Sequence, residues 1–327
     1  MEGQVKARII FMGTPDFAVP TLNALVEAGH TVVAVVTAPD RPAGRGRLPR
    51  ASAVKVRATE LGLPVWQPER LKDPGFLEQL HGAVADLYVV VAFRMLPREV
   101  WARPRLGTIN LHASLLPQYR GAAPINRAII NGEQRSGLTT FVIGEDIDTG
   151  DLLMQEAMDI GPDETAGELH DRMMAAGAVL VTRTVRGLLD GTLRPMPQQA
   201  TGELRTAPKL HAGTGGIDPR RSVRAVHDLV RGLSPYPGAW ARLHGGGRLK
   251  VLRTAPSGDH GAAAPGEVHA VRGRPMLRCA DGWLELVEVQ AEGRRRTSGA
   301  DLLRGLHGRS DGPAVMHLVP PGDPLGG

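Results

Sequence analysis

Cysteine is nearly missing: Cys279 is the only one in 327 residues. A single thiol excludes an internal disulfide and a cysteine-rich zinc site, and it fits a reducing compartment. Long apolar runs are missing too. The most apolar interior stretch, "ADLYVVVAF", falls far short of the roughly 20 residues that a membrane-spanning helix needs. The 11 histidines form no H-E-x-x-H and no other cluster with ligand spacing, so no metal is expected. Neither a G-x-G-x-x-G nor a P-loop occurs. "MGTPDF" puts one glycine between a strand and a helix, which does not carry a dinucleotide site. At the N-terminus, "MEGQVKARIIFMG" has charges ahead of an apolar run of strand length and lacks the long uncharged core of a signal peptide. With no internal repeat and no coiled coil, the expectation is a soluble, cytoplasmic, monomeric protein.

What is present is ordinary for a globular chain, with 42% hydrophobic and 22% charged residues. The length suggests two domains, each able to bury its own core. The net charge of +5 is unevenly spread. Residues 1–204 carry 21 Lys and Arg against 23 Asp and Glu, whereas residues 205–327 carry 18 against 11. A basic second part fits a nucleic-acid face, and it fits a solvated Arg-rich surface equally well; charge alone does not choose.

The first half reads as strands alternating with helices. "ARIIFM", "TVVAVVT", "LYVVVAF" and "GTINLH" are continuous apolar runs separated by helical patterns. Strands that are apolar on both faces imply a parallel sheet covered on both sides, a doubly wound α/β domain. Pro124 is well placed as the first residue of a helix, "GLTTFVI" and "LLMQEAMDI" read as two more strands, and a long helix runs from about Glu164 to Leu189. Pro, Gly, Thr and Gln then replace the periodic pattern. Beyond the helix "SVRAVHDLVRGL", short strands at intervals of about ten residues suggest a small β-barrel or sandwich. The expected division is 1–190, a linker at 191–207, a second domain at 208–311, and a loose tail at 312–327.

"NLHASLLPQYRGAAP" closes a strand on Asn110 and His112, two apart and therefore on one face. Asp148, in "GEDIDTGD", follows the next strand, and in an open parallel sheet such strand ends line the ligand crevice. Taken singly, each has a plainer reading: His112 as a structural histidine, Asp148 as turn chemistry, Asn110 as a strand-end cap. The combination points to a His, carboxylate and amide site. "APDRPAGRGRLPR", residues 38–50, is too long and too charged for an ordinary strand-to-helix connection. It reads either as a mobile surface loop or as a basic finger presenting Arg41, Arg45, Arg47 and Arg50. A second basic cluster lies at Arg294, Arg295 and Arg296.

N-x-H-x-S-L-L-P-x-x-R-G-A-A-P and the later I-D-T-G-D resemble the signature of the 10-formyltetrahydrofolate-dependent formyltransferases. "FMGTPDFAVPTL", "PDRPAGRG", "GLPVWQPERL", "APKL", "VRGLSPYPGAW" and "EVQAEGRRRTSGADLLRG" extend the likeness over nearly the whole chain, towards the branch that acts on aminoacylated tRNA. The resemblance implies formyl transfer from 10-formyltetrahydrofolate to the methionyl α-amino group of initiator tRNA, in translation initiation. It implies Asn110, His112 and Asp148 as catalytic residues. It implies a folate pocket including Val91, Ala92, Phe93, Arg94, Met95 and Leu96 with Ser114, Leu115, Leu116 and Pro117. It also implies a tRNA-contacting insertion at 38–50 and a tRNA-binding OB-like barrel at 208–311. One departure stands out: the family's A-[YF]-G-x-x-L-P is here "AFRMLP", with Arg94 near the usual glycine. Two rivals remain, a formyltransferase acting on a sugar-nucleotide amine and a non-catalytic tRNA-binding protein.

Overall fold

Seven strands form the first sheet, in the spatial order Leu152–Asp159, Arg135–Val142, Thr108–His112, Leu87–Val91, Arg8–Gly13, Thr31–Val36, Val65–Trp66. The computed structural model describes residues 6–43, 48–200, 202–244, 246–258, 260–305 and 314–320. The five strands from Thr108–His112 to Val65–Trp66 are mutually parallel, and Arg135–Val142 joins antiparallel. Continuous burial explains the parallel core: all five residues of Leu87–Val91 and the last five of Arg8–Gly13 are buried. Helices must therefore cover both faces. From Arg8–Gly13 the chain builds outward through Thr31–Val36 and Val65–Trp66, then returns to place Leu87–Val91 on the other side. The order reverses between Gly13 and Val91, which are register partners, and such a reversal opens a crevice at the carboxyl ends of the strands. His112 ends the next strand along.

The chain divides into two units of dense internal contact. One comprises Met1–Gly121, Ser136–Met158 and His170–Thr206; the other comprises Ala122–Arg135, Asp159–Leu169 and Ala207–Gly327. Two short segments that the sequence reading gave to the first domain thus belong with the second unit. The Pro124–Ile130 helix has a local reason to do so. Its Asn126 side chain donates to the Gly232 carbonyl at 2.8 Å, and a Cβ on Gly232 would come within 2.6 Å of Ile130. The helix therefore packs on Val223–Leu233, whose Ser222 side chain caps its first turn by accepting from Ala225 N.

The second unit carries a closed six-stranded antiparallel barrel. Arg248–Ser257, Ala239–Leu243, Ala314–Val319, Glu267–Val271, Arg274–Arg278 and Trp283–Ala291 follow one another, and Arg248–Ser257 pairs again with Trp283–Ala291 to close it. Its interior holds Val226, Leu229, Leu249, Val251, Leu277, Leu284, Leu286 and Leu318. Ala314–Val319 corrects the sequence reading, which placed it in a loose tail. "AVMHLV" fills the gap between Ala239–Leu243 and Glu267–Val271, a backbone demand with no local sequence signal. The tail residues 312, 313 and 321–327 lie outside the described residues. Among the described residues no helix is long and apolar enough to cross a membrane.

Candidate active site

His112 closes the Thr108–His112 strand and is 6% exposed. Leu111, on the opposite strand face, packs so closely that a Cβ on Gly177 would meet its Cδ2 at 2.6 Å. Strand alternation then turns Asn110 and His112 together to the other side. The chain next makes a tight excursion through Ser114–Gly121, and its polar groups are satisfied internally. Ser114 Oγ donates to the Gln118 carbonyl at 2.6 Å, and Thr139 Oγ1 donates to the Ser114 carbonyl at 2.6 Å. Thr139 Oγ1 also accepts from Leu116 N at 3.1 Å, while Gln155 Nε2 donates to the Leu116 carbonyl at 2.8 Å. This excursion points the Tyr119 carbonyl back at His112 Nε2, at 2.9 Å. A carbonyl only accepts, so Nε2 carries a proton and Nδ1 is the nitrogen that can gain and lose one.

On the Nδ1 side stands Asp148, with Oδ2 at 3.6 Å. Its side chain is 14% exposed, and Oδ2 accepts from Gly121 N at 2.9 Å. The backbone of Asp148 is left-handed, φ +54°, a conformation that Asp and Asn tolerate better than other side chains. Gln198 holds this loop from outside. Its Nε2 donates to the carbonyls of Asp148 and Gly150, both at 2.8 Å, and its Oε1 accepts from Arg120 Nη2 at 2.7 Å. Gly150 completes the turn, because a Cβ there would lie 1.7 Å from the Val142 carbonyl oxygen. Gly150→Ala should therefore push the loop and Asp148 out of place. We expect turnover to fall by about 10²-fold, the scale of a displacement of about 1 Å at a reacting centre, with stability checked alongside by thermal unfolding.

Asn110 is half-buried, and among the described residues its side-chain amide makes no hydrogen bond within the chain. A polar group left open on the strand face that also carries His112 is what a ligand-binding site requires. No group of His, Cys, Asp and Glu among the described residues could hold a metal ion.

The other residues expected at the site divide by burial. Val91 at 0% exposed and Leu96 at 7% are core side chains, so contact with a ligand there falls to the backbone. Ala92 is exposed with φ +47°, Phe93 is half-buried, and Met95 is 68% exposed. Arg94 folds away: it donates to the carbonyls of Glu69, at 2.9 Å, and Pro68. Burial, and then the charge of Arg41, hold its pKa below the usual arginine range. Ser114 and Leu116 are buried with their polar groups engaged within the chain. Leu115 and Pro117 are half-buried.

The basic insertion is more ordered than expected at its base. Arg41–Ala43 and Leu48–Arg50 form a small antiparallel ladder with Arg41 opposite Arg50, both exposed. Ser52 anchors the helix that follows, capping Lys55 N and bonding Thr37 at 2.7 Å. Arg45 and Arg47 lie outside the described residues. Arg294, Arg295 and Arg296 are exposed, and Arg296 is paired with Glu288.

Sequence reasoning missed Tyr119, Gly121 and Gln198. Gln198 sits in the stretch read as a linker, which is pinned along its length: Leu152 bridges Met196, and Tyr119 N donates to the Arg205 carbonyl at 2.7 Å. Only the polar, non-periodic composition of that stretch hinted that its side chains were committed elsewhere.

A doubly wound sheet with an amide, an imidazole and a carboxylate at its strand ends, followed by a closed barrel, matches the family model for formyl transferase over residues 7–185 and that for the formyl transferase C-terminal domain over residues 209–307. The chain belongs to the formyl transferase family. More particularly, it is similar to the methionyl-tRNA formyltransferase of Parabacteroides distasonis, 48% identical over 308 residues, covering 91% of this chain and 95% of that protein. It is also similar to that of Solibacter usitatus, 47% identical over 300 residues, 91% of this chain and 95% of that one. Among solved structures, HypX from Aquifex aeolicus with tetrahydrofolic acid aligns with a TM-score of 0.66 at 18% identity, over 93% of this chain and 48% of that one. An N-formyltransferase from Helicobacter canadensis with folinic acid and dTDP-3-aminofucose aligns with a TM-score of 0.62 at 17% identity, over 87% and 99%. At such identities the likeness is one of fold.

Proposed function

We propose that this chain is an enzyme that transfers the formyl group of 10-formyltetrahydrofolate to the α-amino group of methionyl initiator tRNA, acting as a monomer in the cytoplasm. The observation that carries the reading is similarity to methionyl-tRNA formyltransferases across nine-tenths of the chain, 48% identical over 91% of it. Initiation of translation is where formylmethionyl-tRNA is consumed, and Cys279, the single thiol, is buried and its pKa is pushed up to about 12 by desolvation, which suits any redox setting.

The chemistry asks for little base and much positioning. A free α-amino group has a reference pKa of about 7.7–8.0, so roughly a tenth or more is neutral near pH 7. The neutral amine attacks the formyl carbon, charge develops on the formyl oxygen, and the bond to N10 breaks as that nitrogen gains a proton. Asn110 donates its free amide to the formyl oxygen. His112 Nδ1, the ring nitrogen left without a proton because Nε2 donates to the Tyr119 carbonyl, takes up the proton lost by the amine and then gives it to N10 as the bond to the formyl carbon breaks. Asp148 faces Nδ1, where positive charge appears on the ring, and relays the proton lost by the amine. The open amide of Asn110 and the exposed backbone at Ala92 suit a polar folate group; Arg94, bound to its own chain, leaves pterin contacts to that backbone.

For the acceptor, we assign tRNA contact to Arg41, Arg45, Arg47 and Arg50 in the first domain, 1–190, and to the barrel domain, 208–311, including Arg294 and Arg295. The deciding experiment offers the purified chain 10-formyltetrahydrofolate with initiator methionyl-tRNA, elongator methionyl-tRNA or a dTDP-amino sugar. Formylation of the initiator, with tRNA affinity falling steeply as salt rises because bound phosphates release counterions, is expected. Formylation of the sugar alone, or of no acceptor, would refute the assignment.

A further inference from the structure

Tyr236 is 82% exposed, the most exposed large hydrophobic side chain among the described residues. Its backbone is fixed from both sides. Pro235 and Pro237 flank it and restrict φ. The Ser234 carbonyl accepts from Gly167 N at 3.0 Å, and Pro235 lies so close that a Cβ on Gly167 would come within 2.5 Å of its Cδ. On the other side, Lys250 Nζ donates to the Pro237 carbonyl at 2.9 Å, and Gly238 N donates to the Leu233 carbonyl at 2.9 Å. A large ring thus stands in water on a backbone that cannot fold it back.

The barrel surface beside it is basic and aromatic. Lys250 is the register partner of Trp240, and two pairs further along Arg242 faces Arg248; these alternate positions share the outer face. Arg248 lies over the Trp240 ring at 4.2 Å. Arg242 and Arg248 are exposed, and among the described residues the side chains of Arg242, Arg248 and Lys250 make no ion pair with a carboxylate, while Glu292 Oε2 accepts from Arg248 N at 3.1 Å. Like charges set opposite one another without neutralisation cost stability, and an anionic partner removes that cost. Aromatic rings interleaved with a cationic track are the recurring means of holding an RNA strand, bases on the rings and phosphates on the cations.

We propose that Tyr236 stacks on an unpaired base of the tRNA while Arg242, Arg248 and Lys250 take the adjoining phosphates. The inference rests on the proposed tRNA acceptor and names the barrel face that holds it. The full chain is titrated into labelled, deacylated initiator tRNA at several salt concentrations. Tyr236→Ala should weaken binding by about 5- to 150-fold, the range of one lost base stack, with the salt dependence unchanged. Tyr236→Trp should restore affinity. The double variant Arg242→Gln with Arg248→Gln should lower the salt slope by about 2, close to one unit per phosphate contact. Because the Tyr236 ring is outside the core, the thermal midpoint of Tyr236→Ala should match the parent.

Unchanged tRNA affinity in Tyr236→Ala overturns the proposal. So does a parent that sediments as a dimer which Tyr236→Ala dissolves at constant tRNA affinity, since the ring would then be a self-association contact. The two readings separate cleanly. A parent that binds tRNA through Tyr236 but does not formylate it sinks the enzyme assignment alone, whereas full activity of Tyr236→Ala at subsaturating tRNA sinks the stacking role alone.

Discussion

Asp148→Asn is expected to lower formylation at saturating folate and tRNA by about 10²- to 10⁴-fold, the worth of a positioned acid–base group. The substitution is nearly silent structurally. Asparagine tolerates the left-handed backbone at this position, φ +54°, as well as aspartate does. Its amide oxygen can still accept from Gly121 N, now at 2.9 Å from Oδ2. The Gln198 bonds go to the carbonyls of Asp148 and Gly150 and do not involve the side chain. What disappears is the negative charge 3.6 Å from His112 Nδ1 and the oxygen that could take a proton. Asp148→Ala is a poorer test, because alanine is strained at positive φ and the Gly121 N–H loses its acceptor. Turnover of Asp148→Asn within a few-fold of the parent would remove Asp148 from the mechanism.

The same pair separates what periodicity can tell from what it cannot. The parallel sheet was legible because strands buried on both faces must be apolar throughout, as "LYVVV" is in all five positions. The barrel strands were legible because short alternating runs have few other uses. Asn110 and His112 were visible as a pair, since a period of two puts them on one face. Asp148 was less visible, because it lies 27 positions along the chain from its hydrogen-bond partner Gly121 and its own neighbours read as a turn. Its place after the next strand made it a candidate, and the resemblance to the family singled it out. Gln198 and the Tyr119 carbonyl escaped altogether: a backbone oxygen has no letter in the sequence, and a glutamine in a non-periodic stretch looks like any other solvated side chain. Ala314–Val319 escaped for a related reason, since the need for a strand there comes from barrel closure.

Asn110→Ala is expected to cost about 10²- to 10³-fold in turnover, as for deletion of one donor to a developing oxyanion, with little change in either Michaelis constant. Among the described residues the Asn110 side-chain amide has no partner within the chain, so truncation strands no buried donor or acceptor, and the stability cost specific to such stranding does not arise. Thr139 is the contrasting case. Its hydroxyl donates to the Ser114 carbonyl and accepts from Leu116 N and Gln155 Nε2, so Thr139→Val leaves several buried groups unmatched and should lower the melting temperature. An amide that stabilises only the charge appearing on the formyl oxygen is invisible to folding and to ground-state binding, and visible in kcat. Asn110→Asp sharpens the test, because it keeps the volume and replaces the donor by an anion facing that oxygen; it should be at least as slow as Asn110→Ala. If either variant instead raised only the Michaelis constant for folate, Asn110 would be a binding residue and the oxyanion would need another donor.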